Sequence, residues 1–524
     1  MRRSATYLPW LWLLVGGLLL PFTAYQGVIP LAAWLAPVFL LRFSRSLGRG
    51  RLALLLIFLV YAGAAIVGGR GTSGSGIDLA WGLVGSPLVR GFLWMLPYAA
   101  ARVIGRRLGS WAHLFVFPAA FVAADWLLSI PNATGTFGSP AYSQYGDLAL
   151  MQLASLTGMW GITFLIGWFA SMVNAAWDHG FRPREAAAPV ALFAVVLLGV
   201  FGFGIARLNL GAPSSSTVRV ATVTADAALV DAATSGLDFA TFYGASDAQR
   251  AAARPKFAAT VDVMLARTES ALRQGAKLVA WQEDAIWVLA EDRQSVVDRA
   301  AALARQYGAY LDITAGVFAR TSGLPYLRNQ SILVDPTGAV AWTYDKTHPV
   351  FPGEVLATRP GSGVLPLLHT PDGRLSTAIC NDMGYPALEH QAGANRVDIL
   401  FAPTHSAFTV WDANDAAEAT YRSVENGFAM VRATGNGPTL ITGPEGRIIA
   451  SQDYTGNGAI LIASRPGAWP RSMAGWAICS RTSACSAWPC WRRSPLHAGV
   501  RDPRRRDLHE HLAPAGVIDA RARS

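Results

Sequence analysis

Long apolar runs fill the first 210 residues of the chain and then stop. A bilayer core takes about 20 mainly apolar residues per helix. Seven runs approach that length, at roughly 8–25, 28–43, 52–67, 79–101, 111–129, 159–177 and 190–208. From residue 216 the pattern changes to alternating strand and helix signals. Residues 218–223, 277–281, 310–318, 375–379 and 399–402 read as strands, and 251–274, 293–307 and 386–392 as helices. Segments 331–334 and 339–344 flank the turn Asp335-Pro-Thr-Gly338, a hairpin signal. The pattern therefore predicts a membrane domain of about seven helices over 1–210 and an α/β layered domain over 216–465.

Polar positions between the runs set an orientation. Arg2 and Arg3 precede the first run, Arg42, Arg45, Arg49 and Arg51 follow the second, Arg102, Arg106 and Arg107 the fourth, and Arg182 and Arg184 the sixth. The alternate loops are poor in basic residues, with none at 24–27 and only Arg70 at 68–77. Lys and Arg mark the cytoplasmic side. The N-terminus is then inside, and seven spans carry everything after Leu208 outside. The first run follows two arginines as a signal peptide does, but no small-x-small cleavage site precedes Tyr25, and it reads as an uncleaved helix.

Two charges interrupt the runs, Arg90 in the fourth and Asp125 in the fifth. They are either a buried pair or helix-end residues. The connector at 130–158 is long and carries the polar, aromatic stretch 137–145. It is either a functional outer loop or a surface connector.

Composition supports the membrane reading: 52% of residues are hydrophobic and only 15% charged. The net charge of +10 sits in the short loops and in an Arg-rich tail, not in a basic stripe interleaved with aromatics, so it does not point to nucleic acid. Of four cysteines, Cys380 lies alone in the α/β domain, and Cys479, Cys485 and Cys490 lie in the tail. No ligand spacing for zinc and no disulfide framework follows from them. Segment 466–524 is atypical. Its stretch 469–491 is too interrupted by Arg, Ser and Pro for a good span, and it reads as a degenerate last membrane helix or an out-of-frame end.

Three predicted strands each end on a reactive group: Glu283, Lys346 and Cys380. Singly these read as a loop acid, a surface lysine and a buried thiol. Together they make an acyl-transfer set. A carboxylate whose pKa is raised by burial can deprotonate a thiol, and a fixed ammonium can stabilise an oxyanion.

Trp281-Gln-Glu283, Tyr344-Asp-Lys-Thr-His-Pro-Val-Phe-Pro-Gly-Glu354 and Ile379-Cys-Asn-Asp-Met-Gly-Tyr-Pro386 resemble the three catalytic segments of the nitrilase (carbon–nitrogen hydrolase) superfamily. The long lysine segment and the preceding membrane part most resemble the apolipoprotein N-acyltransferases, as do 152–158, 422–428 and 431–437. The resemblance implies a four-layer α-β-β-α sandwich on a helical membrane base. It implies Glu283 as general base, Lys346 as oxyanion stabiliser and Cys380 as nucleophile. Glu354 is then a second acid that positions the lysine or the transition state, and the Asn381 backbone N–H completes the oxyanion hole. The sequence departs from the family at two places. Cys380-Asn-Asp382 replaces the usual Cys-Tyr-Glu, and Thr404-His-Ser-Ala-Phe408 replaces the usual Asn-Asp-x-Trp-Phe. Both segments line the substrate site in the family, so Asp382, His405 and Phe408 are the substrate-facing candidates.

The implied reaction moves an acyl chain from a membrane phospholipid, through a thioester on Cys380, to the α-amine of a diacylglyceryl-cysteine apolipoprotein. It needs no metal or diffusible cofactor. The implied setting is the bacterial inner membrane, multi-pass, with the catalytic domain on the periplasmic side and a monomeric chain. Two other readings stand beside it: a membrane-anchored amidase in which water replaces the amine, and a non-catalytic, decayed paralogue.

Overall fold

The structure, a computed structural model, describes residues 4–464 apart from 25–26, 70–84, 106, 109, 131–133, 211–216, 240, 351–352, 407–411 and 453–458. Phe408 and the tail 466–524 lie outside the described residues.

A helix stands at each of the seven apolar runs: α1 Ser4–Leu19, α2 Pro30–Ser46, α3 Gly50–Gly68, α4 Ser86–Val103, α5 His113–Ser129, α6 Trp160–Asp178 and α7 Pro183–Leu210. Among the described residues, α3 and residues Ala187–Leu210 of α7 are the helices long and apolar enough to cross a bilayer alone. A third candidate is Leu148–Thr157 joined to α6, bent by 112°. The reason is visible in the residues. α1, α2 and α5 have 16, 17 and 17 residues, short of a full span. α2 carries Arg42 and Arg45, and α4 carries Arg90 and Arg102. Aromatic contacts such as Trp12–Trp177, Trp34–Phe169 and Trp94–Phe121 tie the helices together. Leu14, Leu55, Leu59, Phe92 and Leu198 point outward as a lipid-facing surface does. Asp125 is buried and accepts hydrogen bonds from Ser139 (2.7 Å) and Thr163 (2.8 Å), while Arg90 donates to the Phe137 carbonyl (3.3 Å).

The second part is a sandwich of two sheets. The first contains β1 (Thr217–Val223), β2 (Leu278–Trp281), β3 (Ile286–Leu289), β4 (Tyr310–Phe318), β5 (Leu327–Val334) and β6 (Val340–Asp345). The second contains β7 (Leu368–Thr370), β8 (Gly373–Thr377) and β9 (Ile399–Phe401), and β10 (Thr404–His405) begins a short ladder beside it. β11 (Ala429–Arg432), β12 (Thr434–Gly435), β13 (Thr439–Thr442), β14 (Ile448–Gln452) and β15 (Ala459–Ser464) follow. The orders are β15-β1-β2-β4-β5-β6, with β3 beside β4, and β14-β13-β11-β9-β8-β7; β10 pairs with β12. Strand alternation builds the layers. In β1, Val218 and Val220 join Leu375, Ile399 and Phe401 of the second sheet. Ala221 and Val223 join helices α8 (Asp247–Arg273) and α9 (Arg293–Tyr307) through Val261, Met264 and Val297. Helices α10 (Pro386–Ala394) and α11 (Asp412–Asn426) cover the second sheet through Leu388 and Ala419. The layers run α-β-β-α. The β5–β6 hairpin turns at Gly338, whose φ of 80° suits glycine.

The connector after α5 is not a surface loop. Pro140–Gln144 is a buried 3₁₀ turn beneath the sandwich. Tyr421 of α11 donates to the Ala141 carbonyl (2.8 Å), and Arg422 donates to the Tyr142 hydroxyl (2.6 Å). The Thr136 N–H donates to the Gly384 carbonyl at 2.9 Å. Helix α11 thus packs on the membrane helices' core as well as on the sheet.

Candidate active site

Sheet topology brings the three strand ends together. Glu283 follows β2, Lys346 follows β6, and Cys380 opens a 3₁₀ turn after β8. Cys380 has φ 49°, in the left-handed region that a non-glycine residue occupies only under constraint. Its N–H is fixed on the Pro403 carbonyl at 2.9 Å, and its sulfur lies 3.9 Å from the His405 carbonyl. The residue after Glu283, Asp284, is also left-handed at φ 49°. Two of the three reactive groups therefore sit at sharp backbone turns.

The Lys346 Nζ lies 2.7 Å from Glu283 Oε1 and 2.7 Å from Glu354 Oε2. Glu354, on the short helix Gly353–Ala357, also accepts from the Val350 N–H at 2.8 Å. Asn329 of β5 donates to both acids, at 2.8 Å to Glu283 and 3.2 Å to Glu354, and its carbonyl accepts the Lys346 N–H. The His405 N–H holds the other Glu283 oxygen at 2.9 Å. Lys346 is buried, not a surface lysine.

These contacts set the charges. Burial favours a neutral Glu283, but the Lys346 ammonium outweighs it and holds the carboxyl below its usual range. This overturns the expectation of a carboxylate raised by burial: the ammonium is closer than sequence alone can tell. Burial also opposes the charged form of Lys346, and Glu283 and Glu354 overcome it, so the ammonium persists well above the usual lysine range. The Cys380 thiol is pushed well up, first by burial and then by the Glu283 charge, with Lys346 opposing. At rest the thiol is neutral and Glu283 is a carboxylate.

Asp382, expected to face substrate, is instead fully buried under the nucleophile turn. It accepts from Tyr344 (2.7 Å) and from the N–H groups of Ile379 (3.1 Å), Thr347 (3.3 Å) and His348 (2.8 Å). The tight 3₁₀ turn folds its side chain back toward Ile379, so it clamps the lysine segment to the cysteine segment. The Asn381 side chain donates to the His348 carbonyl at 3.0 Å.

Cys380, Asn381 and His405 open on a cavity of about 90 Å³. Its walls include Thr134 and Phe137 from the membrane part and Asp415, Glu418 and Arg432 from the late segments. Phe137 and Arg432 fall in stretches the sequence marked, 137–145 and 431–437, whereas Thr134, Asp415, Glu418 and Asn329 were not singled out. Asn329 is a polar residue inside a strand, and nothing in its spacing ties it to Glu283.

A sandwich with this Glu–Lys–Cys arrangement defines a protein of the carbon–nitrogen hydrolase class. Residues 245–468 match the carbon–nitrogen hydrolase family, and residues 16–172 match the apolipoprotein N-acyltransferase N-terminal domain. The two matches together cover most of the chain and, with its relatives, support a place among the apolipoprotein N-acyltransferases of the nitrilase superfamily. It is 26% identical over 425 residues to the apolipoprotein N-acyltransferase of Geobacter metallireducens, covering 73% of this chain and 75% of that one. It is 27% identical over 510 residues to that of Methylococcus capsulatus, covering 90% and 93%. Among solved structures, a nitrilase-superfamily amidase from Nesterenkonia AN1 is similar at 20% identity and TM-score 0.41, over 53% of this chain and 100% of its own.

Proposed function

We propose that this membrane acyltransferase takes an acyl chain from a phospholipid onto Cys380 and passes it to the N-terminal amine of a diacylglyceryl-cysteine apolipoprotein. One observation carries the reading. The cavity that holds Cys380 is walled in part by Thr134 and Phe137, from the connector between two apolar helices. A nucleophile so placed suits reactants that stay in a lipid surface.

In the first half-reaction Glu283 takes the Cys380 proton as sulfur attacks the ester carbonyl. The thiol's high pKa means that proton transfer accompanies C–S bond formation and no free thiolate waits beforehand. The new oxyanion lies between the Lys346 ammonium and the Asn381 N–H. As Lys346 turns toward the oxyanion its hold on Glu283 weakens, and Glu283 becomes a better base when a base is needed. Collapse expels the lysophospholipid alcohol, which takes the proton from Glu283. In the second half-reaction the amine attacks the thioester and the sulfur leaves. The active site faces the periplasmic side of a bacterial inner membrane, on a multi-pass base, in a monomeric chain.

Mass spectrometry of the purified protein after incubation with a phospholipid of defined chains tests this. The expected result is one acyl group on the peptide containing Cys380, discharged by a diacylglyceryl lipopeptide with a free amine. An unmodified Cys380 together with hydrolysis of small amides would replace the reading with an amidase.

A further inference from the structure

Among the described residues, the trio leaves one buried carboxyl of the cavity unused. Glu418 lies on α11 with 6% of its surface exposed, and it lines the same cavity as Cys380 and Asn381. Its Oε1 accepts from the Thr136 hydroxyl at 2.7 Å, so the membrane-side connector fixes its rotamer. The charged and titratable groups around it are Arg422 and Asp415 of α11, Tyr142 of the connector and Tyr385 near the nucleophile turn.

Proton counting shows a surplus proton that a second base can take. An acceptor amine at neutral pH is largely an ammonium with three N–H protons. The amide product keeps one. The departing Cys380 sulfur takes back one, by way of Glu283. One proton remains, and Glu283 has no capacity for it while it carries the other. The phospholipid half-reaction has no such surplus, since the thiol proton goes to Glu283 and then to the leaving alcohol.

We propose that Glu418 is the acceptor-side base, binding the incoming ammonium opposite Cys380 and taking the surplus proton before the nitrogen attacks the thioester. The step is R–NH₃⁺ plus Glu418 carboxylate giving R–NH₂ plus Glu418 carboxylic acid. The free amine then forms the C–N bond, the C–S bond breaks, the attacking nitrogen's second proton returns to sulfur through Glu283, and Glu418 later releases its proton to water. Burial, partly opposed by Arg422, raises the Glu418 carboxyl to about 8. The empty site is then mostly the acid at neutral pH; the incoming ammonium, an opposite charge in contact, lowers the carboxyl pKa so that Glu418 gives its proton to water, and the resulting carboxylate is close enough to an α-amine in pKa to exchange a proton with it.

The inference rests on the acyl-transfer reading, and one experiment separates the two. Glu418→Gln keeps the shape and the oxygen that accepts from Thr136. Wild type and variant are loaded with phospholipid, then challenged either with a free-amine lipopeptide or with hydroxylamine, which is already unprotonated at neutral pH. The expected result is that acyl-Cys380 accumulates in the variant and its discharge to the lipopeptide falls about 100-fold, while hydroxylamine discharges both proteins equally. Lipopeptide discharge at the wild-type rate overturns the proposal. So does equal loss with hydroxylamine, or failure of Cys380 to load in the variant alone, because each marks a structural role. Failure of the wild type to load overturns the acyl-transfer reading itself. If the glutamine variant does not accumulate in membranes, Glu418→Asp serves the same comparison, with amine discharge slowed and hydroxylamine discharge intact as the supporting result.

Discussion

The Lys346 ammonium sits 2.7 Å from the Glu283 carboxylate, and the two side chains are only 2% and 4% exposed. Glu354 makes a third member of the group, at 2.7 Å from the same nitrogen. Such a group is stable only when complete, because removing one partner leaves a buried charge uncompensated.

Lys346→Met should therefore cost stability as well as rate. The expected stability loss is about 3–5 kcal/mol, read as a lower melting temperature in detergent. The expected rate loss in Cys380 acylation is about 100- to 1,000-fold or more, as for a lost oxyanion donor. Adding Glu283→Gln to Lys346→Met should restore part of the stability and none of the rate. A double variant less stable than Lys346→Met alone contradicts the charge assignment.

The thiol should be slow to alkylate. With its pKa pushed well up by burial and by Glu283, Cys380 is neutral at pH 8. Iodoacetamide labelling, read by peptide mapping apart from Cys479, Cys485 and Cys490, should lag behind a free thiol and keep rising above pH 9. The sign of the Glu283 effect gives a sharper test. Its negative charge raises the thiol pKa and Lys346 lowers it, so Glu283→Gln leaves Lys346 less opposed and the pKa falls. That variant should label faster than wild type at pH 8 while losing acyl transfer. Slower labelling in Glu283→Gln contradicts the arrangement.

Gly135 is where the membrane-side connector meets the nucleophile turn. Its φ is 57°, and an added Cβ would lie 2.1 Å from the Gly384 carbonyl oxygen. Gly135→Ala is expected to push the connector off the turn and displace the Thr134–Phe137 wall. Acylation of Cys380 by phospholipid should fall at least about tenfold, a barrier change of roughly 1.4 kcal/mol. Wild-type acylation in a stable variant removes the connector from the site.

The reactive trio was legible because each member ends a strand, and strands of one sandwich deliver their ends to one rim. The layers were legible for the same reason, from period alone. What was hidden depends on contacts across long sequence separations. Thr136 meets Gly384 and Glu418 across more than 240 positions, and no local pattern announces it. Asp382 looked substrate-facing because its segment lines the substrate site in the family it resembles; the 3₁₀ turn hides it. The direction of the Glu283 shift follows from the 2.7 Å distance to Lys346, and a sequence carries no distances. The apolar runs gave the helices their places; among the described residues two helices meet the length and composition of a full span, or three with the bent pair.

The orientation of the membrane part gives the last prediction. Arginines cluster after α2, α4 and α6, and the positive-inside rule places those loops in the cytoplasm. Arg42 and Arg45 at the end of α2 both reach Asp178 at the end of α6, so these two helix ends lie on one side. If α7 crosses once more, the sandwich that follows Leu208 faces outward. A phosphatase fused after Leu208 should be active, since that reporter works only when exported, and one fused near Arg49 should be silent. A reporter that works only in the cytoplasm should give the reverse pattern. The opposite result at Leu208 would put Cys380 on the cytoplasmic face, away from exported lipoproteins, and the acceptor proposed here would have to be replaced.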